Sequence, residues 1–172
     1  LGIPNKEVQL SFNDMVIDYL TGQPVERTRY QDKLYEYLEN GDVDALGTTI
    51  KTLFAGIAYN NYVNNTISSY EGYYASVIYA YLASLGLEII PEDVTNKGRI
   101  DLTIKIADNI YILEFKVDGG DPVVTGAETA LQQIKDKDYQ QKYIHDGKTI
   151  YLIGIDFDAE KKNVSSVKWE KV

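Results

Sequence analysis

Residues Gly98 to Asp118 read GRIDLTIKIADNIYILEFKVD, and both halves of this stretch alternate. In the first half Ile100, Leu102, Ile104 and Ile106 fall on one face, with Arg99, Asp101, Thr103 and Lys105 on the other, which is the period of a strand with one apolar side. The second half sets Tyr111, Leu113, Phe115 and Val117 against Ile112, Glu114, Lys116 and Asp118. A two-residue turn at Asp108-Asn109 pairs Ala107 with Ile110, which places Asp101 opposite Lys116 and Thr103 opposite Glu114. The two apolar faces then coincide. Asp101, Glu114 and Lys116 gather on the other, Asp101 at ~5 Å from Lys116 between Cβ atoms and at ~7 Å diagonally from Glu114.

Two carboxylates and a lysine on neighbouring strands have a chemical use. A hard cation such as Mg²⁺ takes oxygen ligands, commonly one or two carboxylates, and leaves positions for water and phosphate oxygens. A lysine beside it can orient the attacking water and offset charge developing on phosphorus. An opposed Asp and Lys on a solvated hairpin is also an ordinary cross-strand pair worth ~0.2–1 kcal/mol, so the hairpin alone leaves both readings open.

The spacing of Ile100-Asp101, twelve intervening residues and Glu114-Phe115-Lys116 resembles the signature of the PD-(D/E)XK nuclease superfamily, with Ile100 where a proline usually stands. Within it, the chain is most similar to the small nuclease-like domain that follows an AAA-ATPase-like domain in bacterial proteins. Tyr70 to Tyr74, Gly98 to Asp101, Ile112 to Lys116, Ala130 to Ile134 and Tyr151 to Phe157 carry that likeness.

The rest of the chain reads as helices, then a sheet. Up to about residue 67 there are three apolar stripes at helical spacing, each expected to face the core. The first is Val8, Phe12, Met15, Val16 and Tyr19, after an N-cap at Asn5. The second is Tyr30, Leu34, Tyr37 and Leu38, stopped by Asn40-Gly41. The third is Leu46, Ile50, Leu53, Phe54 and Ile57, capped by Asp42. Asn60, Asn61, Asn64 and Asn65 form a polar break between a helical preface (1–67) and a nuclease-like domain (68–172). A helix from Ser68 turns Tyr74, Val77, Ile78, Tyr81, Leu82 and Leu85 to one side and ends at Gly86.

Glu71 falls on that inward stripe. It either closes a capping box with Ser68 or, as the resemblance implies, meets the metal site. Leu87 to Ile90 forms a strand, Pro91 to Lys97 a polar connection, and Gly119 to Pro122 a break. A second capping box, Thr125 to Glu128, opens a helix with Ala127, Ala130, Leu131 and Ile134 inward. Thr149 to Asp156 is apolar enough to be a strand covered on both faces, reached by a parallel crossover, and Val164 to Val172 makes an edge strand. The expected fold is α/β: a restriction-endonuclease-like core, a mixed central sheet flanked by helices, with the N-terminal helical preface.

Composition narrows the chemistry. The 172 residues contain no cysteine and a single histidine, His145, in a turn-like setting, which removes thiol catalysis and Cys- or His-based zinc sites. No stretch approaches the ~18 apolar residues that cross a bilayer and no signal peptide is visible, so a cytoplasmic protein without membrane contact is expected. A net charge of −9 speaks against nucleic-acid binding through a broad basic patch. Fifteen tyrosines place several of them at a surface or an interface. There is no phosphate-binding Gly-x-x-x-x-Gly-Lys loop, and the start at Leu1 fits an excerpt of a longer protein.

The resemblance implies a metal-dependent nuclease. Asp101 and Glu114 would hold Mg²⁺ or Mn²⁺ with the Phe115 carbonyl, Glu71 would bind it directly or through water, Lys116 would position the attacking water, and Gln133 would orient Lys116 or a phosphate. The implied partners are nucleic acid, DNA above all, an upstream AAA-ATPase-like domain, and a second copy of the chain, since many such nucleases act as pairs. The alternative is a nuclease fold kept as a catalytically silent regulatory or interaction module.

Overall fold

The hairpin forms, but two residues away from the expected register. In the computed structural model, which describes residues 6–22, 25–57, 71–118 and 126–172, strand β2 (Arg99–Ile106) pairs antiparallel with β3 (Asn109–Asp118), Leu102 facing Leu113 and Ile106 facing Asn109. The turn residues are therefore Ala107 and Asp108, and Ala107 takes a φ of +46°. Asn109 is drawn into the strand because its side-chain amide donates to the carbonyls of Leu38 and Glu39, at 3.1 and 3.0 Å. A slip of two keeps the side chains from Leu102 to Ile106 on their expected faces, since the strand period is two. It changes the cross-strand neighbours: Thr103 faces Ile112, where the expected pairing set it opposite Glu114.

Five strands follow the order β1-β2-β3-β4-β5, with β1 at Glu88–Val94, β4 at Thr149–Asp158 and β5 at Asn163–Lys171. All neighbours are antiparallel except β3 and β4, which run parallel, as the crossover demands. Pro91 to Val94, expected as a connection, extends β1. Pro91 is tolerated because β1 lies at the edge of the sheet, where a missing N–H costs no ladder bond. Asp93 locks the extension: it is buried and accepts from Thr103 Oγ1 at 2.9 Å, from the Tyr143 hydroxyl and from Lys142 Nζ.

Helices cover both faces. On one side lie α1 (Lys6–Thr21), α2 (Arg27–Asn40), α3 (Val43–Gly56) and α4 (Glu71–Ser84); on the other, α5 (Gly126–Asp136) and a 3₁₀ turn (Tyr139–Lys142). The larger core joins α1–α4 to Leu102, Ile104, Tyr111, Leu113, Phe115, Ile153 and Phe157, so the helical preface and the sheet share one apolar interior. The smaller core sets Leu131, Ile134, Tyr139 and Tyr143 on Ile110, Ile112, Ile150 and Leu152. The stripes of α2, α3 and α4 point inward as their spacing predicts. Gly41 ends α2 in the left-handed region, φ +73°, and Asp42 Oδ1 caps α3 by accepting from the Ala45 N–H at 3.0 Å.

The first helix departs from expectation. Ile17 is fully buried and Val16 partly so, but Val8, Phe12, Met15 and Tyr19 are 45, 50, 58 and 83 % exposed. The reason is position: α1 is the outermost helix and packs mainly on α4, so one narrow line of its surface is covered. Most tyrosines behave conversely. Tyr74 stacks on Phe157 at 4.5 Å and Tyr111 on Tyr151 at 4.9 Å within the core, leaving Tyr19, Tyr35 and Tyr79 as the exposed rings among the described residues. The Asn5 cap, the polar break at Asn60 to Asn65, Ser68 to Tyr70, the Gly119 to Pro122 break and Thr125 lie outside the described residues.

Candidate active site

The alternation of β2 breaks at Asp101. Leu102, Ile104 and Ile106 enter the larger core, whereas Ile100, expected beside them, joins the smaller one on the opposite face. The half-buried Asp101 carboxylate turns toward β3, where its Oδ2 accepts the Phe115 N–H at 2.8 Å. The ladder between the strands ends at Leu102 and Leu113, so a side chain takes over where backbone pairing stops.

Glu114 is the neighbour this brings in. It is 1 % exposed, its Oε2 accepts from Gln133 Nε2 at 2.8 Å, and its Oε1 has no hydrogen-bond partner. Burial above all, then the charge and close approach of Asp101, push the Glu114 carboxyl up to about 8, while the Lys116 charge pulls the other way. Two carboxylates meeting with an orphaned buried oxygen call for a shared proton or a cation. The donor set is all oxygen and fits a hard divalent ion, which commonly takes one or two carboxylates. Among the described residues no cluster of three His, Cys, Asp or Glu adds to it.

Gln133 reaches Glu114 because α5 lies very close to β4. A Cβ at Gly154 would stand 2.1 Å from the Ala127 carbonyl oxygen and 2.6 Å from the Leu131 nitrogen. Gly154 is level with Glu114 on the adjacent parallel strand, so the absent side chain admits the helix where the carboxylate needs a donor. Gln133 thus contacts Glu114 itself, where the resemblance had implied contact with Lys116 or a phosphate. Lys116 lies two residues further along β3 on the same face, half-buried, in register with the buried Asp156 on β4. Among the described residues it makes no ion pair. Glu71 is the first residue of α4, and its side chain lies outside the described part of the structure.

Two neighbours escaped the sequence reading. Tyr139 is buried beside the site and donates from its hydroxyl to the Arg99 carbonyl at 3.0 Å; its phenol is held above its usual range by burial and then by Glu114. Asp156, whose Oδ2 accepts from Ser165 Oγ, sits on the face that carries Lys116. Its signal was available: a carboxylate at the end of an apolar run covered on both sides needs a partner.

Residues 69–167 match the sequence profile of the PD-(D/E)XK nuclease superfamily, more than half of the chain. The chain belongs to that superfamily. As a superfamily member it has the mixed five-stranded sheet and flanking helices of the restriction-endonuclease-like α/β fold, with a helical region ahead of it. It is also similar, at 40% identity over 164 residues, to a protein of Azotobacter chroococcum mcd 1 described as "Uncharacterized protein in vnfD 5'region". The alignment covers 95% of this chain and 31% of that protein, so the chain spans about a third of the relative's length. Among the described residues no helix is long and apolar enough to cross a membrane.

Proposed function

We propose that this superfamily member is a divalent-cation-dependent phosphodiesterase that cleaves nucleic acid. The observation that carries the reading is the Asp101–Glu114 pair, two carboxylates in contact with an orphaned buried oxygen, next to Lys116. Asp101 and Glu114 hold a Mg²⁺ or Mn²⁺ ion, with the Phe115 carbonyl and Glu71 as further ligands. The ion, when bound, supplies Lewis acidity that offsets charge on the scissile phosphate. Lys116 orients the attacking water, and its ammonium balances charge growing on the phosphoryl oxygens. Gln133 fixes the Glu114 carboxylate from α5 by donating to Oε2, and the unpaired Oε1 would be available to hold an ion.

In this reading DNA is the first substrate to test, residues 1–67 act as a helical preface to a nuclease module at 68–172, and the protein works in the cytoplasm, with a homodimer as its acting form. The upstream AAA-ATPase-like partner belongs to the same proposal, and a relative about three times as long leaves room for such a domain. The test is cleavage of labelled DNA and RNA with Mg²⁺ or Mn²⁺. Activity that disappears in Lys116→Ala and Asp101→Asn while the circular dichroism is unchanged supports the assignment; no cleavage, or cleavage indifferent to both changes, overturns it. One observation favours a second reading, a silent interaction module: the outward apolar residues of α1. That reading predicts no calorimetric heat on adding Mg²⁺ or Mn²⁺.

A further inference from the structure

The two carboxylates of the site rest on unequal supports. Glu114 sits in a strand that pairs with β4 along its whole length, level with Gly154, and Gln133 bonds its carboxylate from α5. Asp101 sits where β2 has parted from β3. Pairing between these strands stops at Leu102 and Leu113, so Arg99, Ile100 and Asp101 run past it with the edge strand β1 as their remaining sheet neighbour among the described residues. How far Asp101 stands from Glu114 then depends on what anchors this end of β2. Tyr139, the first residue of the 3₁₀ turn after α5, reaches it. Its hydroxyl donates to the Arg99 carbonyl at 3.0 Å, two residues from Asp101. Its ring shares the smaller core with Ile100, the residue directly before Asp101, whose side chain leaves the face of Leu102 and Ile104 to get there. The fit is close: a Cβ at Gly98 would stand 2.7 Å from the hydroxyl oxygen. The phenol is also acted on by Glu114, Gln133 and Asp101, which sets it behind both halves of the pair.

Resting on the phosphodiesterase reading above, we infer that Tyr139 is a positioning residue: by anchoring the Arg99 carbonyl it fixes the spacing of Asp101 from Glu114, and so which divalent ion the pair prefers. Groups that stand behind a ligand orient it, and their loss lowers metal affinity. Mg²⁺ demands near-ideal octahedral geometry, whereas Ca²⁺ accepts longer and more flexible arrangements. Slackening the Asp101 end of β2 therefore weakens Mg²⁺ more than Ca²⁺.

The test is calorimetric titration of the full 172-residue chain with Mg²⁺ and, separately, with Ca²⁺. Tyr139→Phe keeps the ring in the core and removes the hydroxyl. It should weaken Mg²⁺ binding on the order of 10- to 100-fold and Ca²⁺ binding by a smaller factor. Tyr143→Phe is the control, because that ring is just as buried in the same core and its hydroxyl bonds Asp93 instead. Both variants should lower the urea midpoint in chelator, but Tyr143→Phe should bind both ions like the wild type. A Tyr139→Phe protein that binds Mg²⁺ as the wild type does, that loses Mg²⁺ and Ca²⁺ equally, or whose losses Tyr143→Phe reproduces overturns the inference and leaves the phosphodiesterase standing. A wild type that takes up neither ion removes the phosphodiesterase and this inference with it.

Discussion

Replacing Glu114 by glutamine should make the metal-free protein more stable while taking away its affinity for a divalent ion. The side chain is 1 % exposed, with one oxygen unpartnered and Asp101 beside it, so its ionised form is disfavoured where it stands. Its folded-state value is raised from 4.5 to about 8. A raised carboxylic acid contributes fully to stability below the unfolded value and loses that contribution as pH rises toward the folded one. Between pH 4.5 and pH 8 the wild type should therefore lose about 1 kcal/mol per pH unit relative to Glu114→Gln, a few kcal/mol in all. Glutamine is nearly isosteric, carries no charge and offers Asp101 a donor. The assay is urea unfolding of both proteins in chelator across that range, repeated with Mg²⁺, which should raise the midpoint of the wild type alone. A variant no more stable than the wild type at pH 8, or a difference that does not change with pH, would refute the argument that this carboxylate is held at a cost.

Three further outcomes follow from the same geometry. Gly154→Ala drives a methyl group against backbone atoms of α5, which cannot rotate away, so it should destabilise by about 3 kcal/mol in urea unfolding and weaken the Gln133–Glu114 contact; a loss under ~0.5 kcal/mol means the helix shifts freely. Asp93→Ala strands Thr103, Tyr143 and Lys142 and should cost about 3 kcal/mol. Burial alone would raise the Asp93 carboxyl, but hydrogen bonds from Lys142, Tyr143 and Thr103 prevail and lower it. Its contribution is thus present above the ordinary carboxylate range and lost as pH falls through the lowered value, which acid titration of wild type against Asp93→Ala measures. Gln133→Ala removes the side-chain amide that donates to the buried Glu114 and should destabilise by about 2 kcal/mol; an unchanged midpoint would mean that water reaches Glu114.

Much of this architecture was legible because local pattern and tertiary environment agree. The period-2 arms of β2 and β3, the apolar run of β4 and the inward stripes of α2 to α4 each find the neighbour their spacing requires. What went astray depends on distant contacts. The hairpin register turns on Asn109, whose amide is satisfied by the end of α2, about seventy residues away in sequence. The stripe on α1 has the right period for a core helix, and only its outermost position leaves Phe12 and Tyr19 uncovered. Edge position likewise decides that β1 continues through Pro91, where a proline inside the sheet would have ended it.

The site was legible in residue type and less so in arrangement. The spacing put Asp101 opposite Lys116, but Asp101 meets Glu114, and Lys116 stands level with Asp156 on β4. Gln133 could be singled out only by resemblance, since a helical glutamine has no signature of its own. Its contact depends on Gly154, whose importance shows only when the two layers are seen together.

The central claim is that Asp101 and Glu114 grip one divalent ion, and crystals soaked in Mn²⁺ test it most directly. An anomalous peak within ~2.1 Å of a carboxylate oxygen from each residue is the predicted result. No peak there at full soak, or a peak bound elsewhere while the two carboxylates still share a proton, would contradict it.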